Sequence, residues 1–235
     1  MYKICFLCVL LTLLNCNQEP SKKKQAPKTN VKPDIKTTVK IDTAAATQKK
    51  EFTKLNSKNA LDFFLEYGKH NKENKVRIST DFGAIDILLF KNTRYHRANF
   101  IFLTKQKYFK DTQFYRVIDN FVVQAGNSDD KKTMTKRFDI GEYLLPTDMN
   151  KGYKHHRGVI SMPSSEIENP YKLASPYEFF IVQRKGGAHG LNGNYTIFGK
   201  VIKGMDVVDK IAAVKTDETD WPLRNIFIRD VTIID

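Results

Sequence analysis

From Lys75 onward the chain alternates apolar and polar residues with period two: Val76, Ile78 and Thr80, then, past Phe82-Gly83, Ile85, Ile87 and Leu89. Successive side chains on a strand point to opposite faces, so this spacing builds strands with one buried side. Runs of the same kind predict strands near 114–118, 121–125, 158–162, 178–183, 196–201, 226–229 and 231–234. A helix is predicted over 93–105, with Tyr95, Asn99, Phe102 and Leu103 on one side. A second is predicted over 205–213, from Met205, Val208, Ile211 and Ala212. Many short strands with few short helices in about 160 residues exclude alternating α/β units and point to a mainly β fold, a closed antiparallel barrel or a sandwich. The polar interval 127–157, with Asp129-Asp130-Lys131-Lys132 and a break at Pro146, is expected to loop over the barrel.

Upstream the pattern differs. Ser57 precedes Leu61, Phe64 and Leu65, an i, i+3, i+4 stripe with Gly68 placed to stop it, so 57–74 reads as a short amphipathic helix. Residues 17–56 are mostly Lys, Thr, Pro, Gln, Asn and Ala and cannot bury enough apolar area to offset the entropy of ordering. They read as a disordered basic tether. Of the net charge of +13, +7 falls in residues 17–58, from eleven lysines against four acids. Such a stretch can attract nucleic acid or an anionic bilayer, but its composition suits a solvated, self-repelling spacer. Residues 75–235 form the main folded domain.

All three cysteines, Cys5, Cys8 and Cys16, lie in the first sixteen residues, so the rest of the chain holds no disulfide, thiol nucleophile or cysteine zinc site. Cys5 and Cys8 sit inside the apolar run Ile4–Leu14, which follows Lys3. Its 11 residues fall short of the ~20 of a spanning helix and match the charged start and short apolar core of a secretory signal. The run ends in Leu13-Leu14-Asn15-Cys16, which resembles a bacterial lipoprotein box, with Asn15 where a smaller residue is usual. On that resemblance 1–16 is a signal peptide with its lipobox cysteine. Cleavage leaves Cys16 lipidated, and the multiple acyl chains hold the protein at a membrane of the cell envelope. An export signal argues against a nucleic-acid partner.

Other chemistries find no support. The histidines His70, His96, His155, His156 and His189 lie in no H-E-x-x-H setting, and neighbours such as His155 and His156 would point apart on a strand. There is no G-x-S-x-G elbow. The run Gly186-Gly187-Ala188-His189-Gly190 lacks the Lys-Ser/Thr of a phosphate loop and reads as a turn. No metal and no cofactor is expected.

The distinctive run is Phe114-Tyr115-Arg116-Val117-Ile118-Asp119-Asn120-Phe121-Val122-Val123-Gln124-Ala125-Gly126-Asn127. A charged head in an apolar strand must be paired or aimed at a cavity, so Arg116 marks the edge of a site, unless it simply reaches solvent from a strand end. Val122 and Gln124 are two apart and share a face, where an apolar contact beside an amide suits a peptide ligand.

The chain here resembles the cyclophilin family of peptidyl-prolyl isomerases over roughly 75–235. The F-Y-R-V-I-x-x-F-V-V-Q-A-G run is supported, in order, by Ala98-Asn99-Phe100, Gly158-Val159-Ile160-Ser161-Met162, Phe179-Phe180-Ile181 and the segment from Leu191 to Val201. The resemblance implies a closed eight-stranded antiparallel barrel capped by two helices, here with a short extra N-terminal helix, and a peptide groove on its outer face. It implies catalysis of X–Pro rotation at Arg116, with Phe121 and Gln124 beside it. Phe121, Val122, Phe180, Leu191 and Tyr195 match the proline pocket, and Gln124 the residue that holds the peptide backbone. Phe180 would face the groove and Phe179 the core. The implied partners are proline-containing exported polypeptides, met by a monomer. A non-catalytic peptide-binding chaperone or assembly module could use the same groove. Glu178 stands where the family often has glutamine, Pro163-Ser164 where it has Ala-Asn, and Gly190 where many members carry tryptophan. The last change removes a contact for the drug cyclosporin.

Overall fold

The computed structural model describes residues 52–164 and 169–235. The predicted signal peptide, Cys16 and most of the predicted tether lie outside the described residues.

Eight strands form one sheet: β2 (Lys75–Thr80), β3 (Gly83–Leu89), β4 (Gln113–Ile118), β5 (Val122–Asn127), β7 (Val159–Ser161), β8 (Phe179–Val182), β9 (Ile197–Lys203) and β10 (Ile228–Ile233). Their order is β10-β2-β3-β9-β7-β8-β5-β4, and every neighbouring pair is antiparallel. Val76, Ile78, Ile85, Ile87 and Leu89 all point to the interior, as the period-two pattern requires.

The expected closed barrel is corrected to a curled sheet with two edges, β10 and β4. These edges meet only near the start of β4, at the Gln113–Phe227 bridge and bonds such as Phe114 N–H to the Ile226 carbonyl (2.9 Å). Farther along, the Val117 N–H donates instead to the carbonyl of Asp220 (2.8 Å). A loop therefore covers this edge where a closing ladder would have run, which is one way of protecting an exposed strand. At the other edge, the two strands expected at 226–229 and 231–234 are the single β10, whose register shift between Ile228 and Asp230 absorbs the apparent break.

The described residues contain four α-helices: α1 (Ala60–His70), α2 (Arg94–Lys105), α3 (Lys131–Ile140) and α4 (Met205–Ala212). Helix α3 lies where a loop was expected. It has no apolar stripe, so periodicity could not reveal it. Asp130 caps it by accepting from the Lys132 N–H (2.8 Å), and Thr133 and Ile140 are its buried residues.

Helix α1 begins after Asn59 rather than Ser57 and runs through Gly68. The guanidinium of Arg97 on α2 takes the Gly68, Asn71 and Glu73 carbonyls, satisfying groups that a helix end leaves unpaired. A Cβ at Gly68 would reach ordinary contact with that of Ala98, at 3.4 Å, so the glycine packs on α2 inside α1 rather than stopping it. Helix α2 is buried on all sides from His96 to Thr104, not on the single side expected, because α1 covers its outer face. Phe102 meets Phe52, Phe63, Phe64 and Tyr67 at 5.0–5.8 Å. A two-residue strand β1 (Leu55–Asn56) pairs in parallel with β6 (Gly141–Glu142), and Leu55 is buried. The last residues of the stretch read as tether therefore belong to the folded unit.

Candidate active site

Strand β4 carries an irregularity that decides where its arginine points. Phe114 pairs with Ala125, both buried, but the register against β5 then shifts so that Arg116 pairs with Gln124. Tyr115 is the extra residue of a β-bulge. Tyr115 and Arg116, adjacent in sequence, thus share the outer face, and Val117 returns to the core. Strict alternation from Phe114 would have turned Arg116 inward.

The bulge aligns four strands. Arg116 pairs with Gln124, Gln124 with Phe180, and Phe180 with Ser161, so these side chains form one row on the outer face. Val122 lies two residues along β5 on the same side, opposite Val182. Val123 and Ala125 face inward with Ile181 and Phe179.

An apolar cluster separate from the interior forms on this outer face. Val122, Phe180, Val182 and Ala188 are its buried members, and Phe121, Val159, Leu191 and Tyr195 pack partly buried against it. Phe121, Val122, Phe180, Leu191 and Tyr195, the five pocket residues named from sequence, are thus brought together. Tyr195 meets Phe180 edge to face at 5.4 Å. Leu191 closes a short 3-10 turn, His189–Leu191, in which Gly190 contributes no side chain.

His155 supports Phe180. Its ring stacks on the phenyl at 6.0 Å, its Nδ1 lies 2.9 Å from Asn192 Oδ1, and its Nε2 lies 3.1 Å from Ser161 Oγ. Burial pushes this imidazole below its ordinary pKa, against the raising effect of the Asn192 bond. Sequence reasoning met His155 only as a poor metal ligand. Its supporting place comes from the loop before β7, which no spacing rule encodes.

The other end of this outer face is polar. Gln124 Nε2 donates to the Tyr115 hydroxyl, which donates to Glu178 Oε2 at 2.9 Å. Arg137, from α3, donates to Glu178 Oε1 at 3.0 Å and to the Tyr108 hydroxyl at 2.8 Å. Arg116 Nη2 pairs with Asp220 Oδ2 at 3.2 Å. Asp220 sits at φ 66°, a left-handed position that aspartate tolerates better than most residues, in a turn that Asp217 braces through Thr219 and Trp221. Tyr115, Arg137 and Asp220 were not singled out from sequence. Glu178 was, as a departure from the family pattern. Pro163, a second departure, is buried, and its carbonyl accepts from the Ser175 N–H at 2.8 Å.

Residues 75–233 match the family described as cyclophilin type peptidyl-prolyl cis-trans isomerase/CLD. The chain belongs to this family. It is 30% identical over 165 residues to the peptidyl-prolyl cis-trans isomerase CYP18-2 of Arabidopsis thaliana, a match covering 68% of this chain and 94% of the relative. It is 35% identical over 167 residues to peptidyl-prolyl cis-trans isomerase-like 2 of Rhizopus delemar, covering 70% of this chain and 30% of that longer relative. A crystal structure of a Cryptosporidium parvum cyclophilin type isomerase superposes with a TM-score of 0.58 at 28% identity, over 69% of this chain and 98% of that one. The same cyclophilin was also solved in the presence of the dipeptide Ala-Pro. The family match begins at β2, so α1 and the β1 strand precede it.

Proposed function

We propose that this cyclophilin accelerates X–Pro rotation in exported polypeptides, with Arg116 as the catalytic residue. The observation that carries this reading is the row Arg116–Gln124–Phe180, a cation and an amide beside an apolar cluster on one face of the sheet. Amide resonance sets a rotation barrier of ~18–20 kcal/mol. Twisting the bond breaks that conjugation and leaves a lone pair on the prolyl nitrogen. A guanidinium N–H can donate to this lone pair, and because the interaction exists mainly in the twisted state it lowers the barrier rather than only tightening binding. Asp220 engages one side of the Arg116 guanidinium, whose remaining N–H groups have no other partner among the described residues and can donate. Phe121, Val122, Phe180, Leu191 and Tyr195 hold the proline ring while Gln124 holds the backbone. The preceding carbonyl then turns.

The test is isomerisation of a proline-containing peptide by the wild-type chain and by Arg116→Ala. Equal rates would remove the assignment. A second reading, a non-catalytic peptide-binding chaperone or assembly module, draws support from the Arg116–Asp220 pair, which occupies part of the cation. Peptide binding with no acceleration by the wild type would select it.

The sequence of residues 1–16 supports an address for this activity: lipidation at Cys16 and anchoring of a monomer at the bacterial cell envelope. Cys16→Ser should move the protein from the membrane fraction to the soluble one. An unchanged distribution would discard the anchor.

A further inference from the structure

Glu178 is engaged at both carboxylate oxygens, by Arg137 at Oε1 and by Tyr115 at Oε2, and its side chain is only 16% exposed. An ionised carboxylate has no proton to give. The single hydroxyl proton of Tyr115 is therefore committed to Glu178, and the phenol oxygen can only accept from its other neighbour, Gln124 Nε2. Burial, and after it the charge of Glu178, push the Tyr115 phenol far above its ordinary pKa, which keeps that proton in place. The far side is equally directed. Arg137 donates to the Tyr108 hydroxyl, and the Tyr108 hydroxyl in turn donates a hydrogen bond to the Gly126 carbonyl at 2.7 Å.

We infer that Glu178 is a positioning residue that sets the flip of the Gln124 amide, turning Nε2 to Tyr115 and Oε1 to the groove. The groove then offers a client an acceptor and selects for a backbone N–H beside the proline. A glutamine at 178 would carry both a donor and an acceptor. Tyr115 could then accept a hydrogen bond from its amide N–H and donate to Gln124 Oε1, leaving the amide free to turn its N–H groups outward. The inference rests on the functional reading only in taking this face for the peptide groove.

The experiment measures peptide affinity, not turnover, on the full chain. The probes are proline-containing peptides in which one backbone N–H at a time, at each position flanking the proline, is replaced by an ester oxygen. In the wild type one position should lose roughly three- to tenfold in affinity, the worth of one hydrogen bond. In Glu178→Gln that loss should shrink to less than about twofold, because the amide can reorient. Tyr115→Phe removes the hydroxyl that locks the amide and should shrink it likewise, which keeps the test open if Glu178→Gln fails to fold. A merely structural role for Glu178 would weaken all peptides alike and leave the ester penalty intact. An unchanged penalty in both variants, or none at any position in the wild type, overturns the inference. A wild type that shows the penalty but isomerises nothing would instead overturn the isomerase reading and leave this one standing.

Discussion

At the Val122 end of β5 the outer face is held by contact among apolar side chains, whereas two residues away, at Gln124, it is held by a chain of directed hydrogen bonds ending in Arg137. The two ends share a strand and a face and differ in what they tolerate. Dispersion and apolar burial are non-directional, so Phe121, Val122, Leu191 and Tyr195 need only be bulky and adjacent. Hydrogen bonds specify who donates, and a partly satisfied network costs more than none. The apolar end should therefore set how strongly a proline ring is held, and the polar end which way its chain must run.

Four perturbations would break or sharpen this contrast. The largest effect is expected at the apolar end: Phe180→Ala removes a buried ring that Tyr195 and His155 pack against, and should cost about 3–5 kcal/mol in urea unfolding and abolish peptide binding. A loss under about 1 kcal/mol would mean the cluster closes over the gap. Next comes the cation opposite Gln124. Arg116→Ala should lower kcat/KM for a proline-containing peptide by roughly 10²–10³ while leaving the unfolding midpoint nearly unchanged. At the polar end, Arg137→Met strands the Glu178 carboxylate without its cation and should cost about 1–3 kcal/mol of stability, read from the thermal midpoint. If stability holds, the network is dispensable.

The smallest effect concerns pH. The folded-state pKa of His155 is depressed by burial, so its neutral form is the one the fold favours. This contribution is complete above the unfolded value near 6.5 and is lost as pH falls below it through the lowered folded value. The groups facing the ring are Asn192, Ser161, Phe180, Tyr195 and, electrostatically, His189. Peptide affinity should decline with acid over that window in the wild type and less steeply in His155→Gln. Parallel pH profiles would assign the decline to other groups. A side test of the apolar end uses Gly190, which offers cyclosporin no ring: inhibition should be weak, and tighter in Gly190→Trp with turnover little altered.

The legible parts of this molecule are those with a period or a block. Val76, Ile78, Ile85 and Ile87 announce β2 and β3 because burial on one face forces alternation. The apolar end of the groove could be named residue by residue because Phe121, Val122, Phe180, Leu191 and Tyr195 stand in blocks that resemble a family. Helix α3 escaped notice because a cap at Asp130 and a polar anchor at Arg137 hold it, not an apolar stripe. Asp220 reaches Arg116 from a loop about a hundred residues away in sequence, a pairing that only the folded chain creates. The open edge of the sheet was equally hidden, since strand count does not say whether β4 meets β10 or a loop.

The bulge at Tyr115 sets a frame. Because the surplus residue lets two neighbours share one face, deleting Tyr115 would restore plain alternation, with Arg116 still outward after Phe114 and Val117 still inward, so the cation would keep its side and the site would lose only the hydroxyl between Gln124 and Glu178.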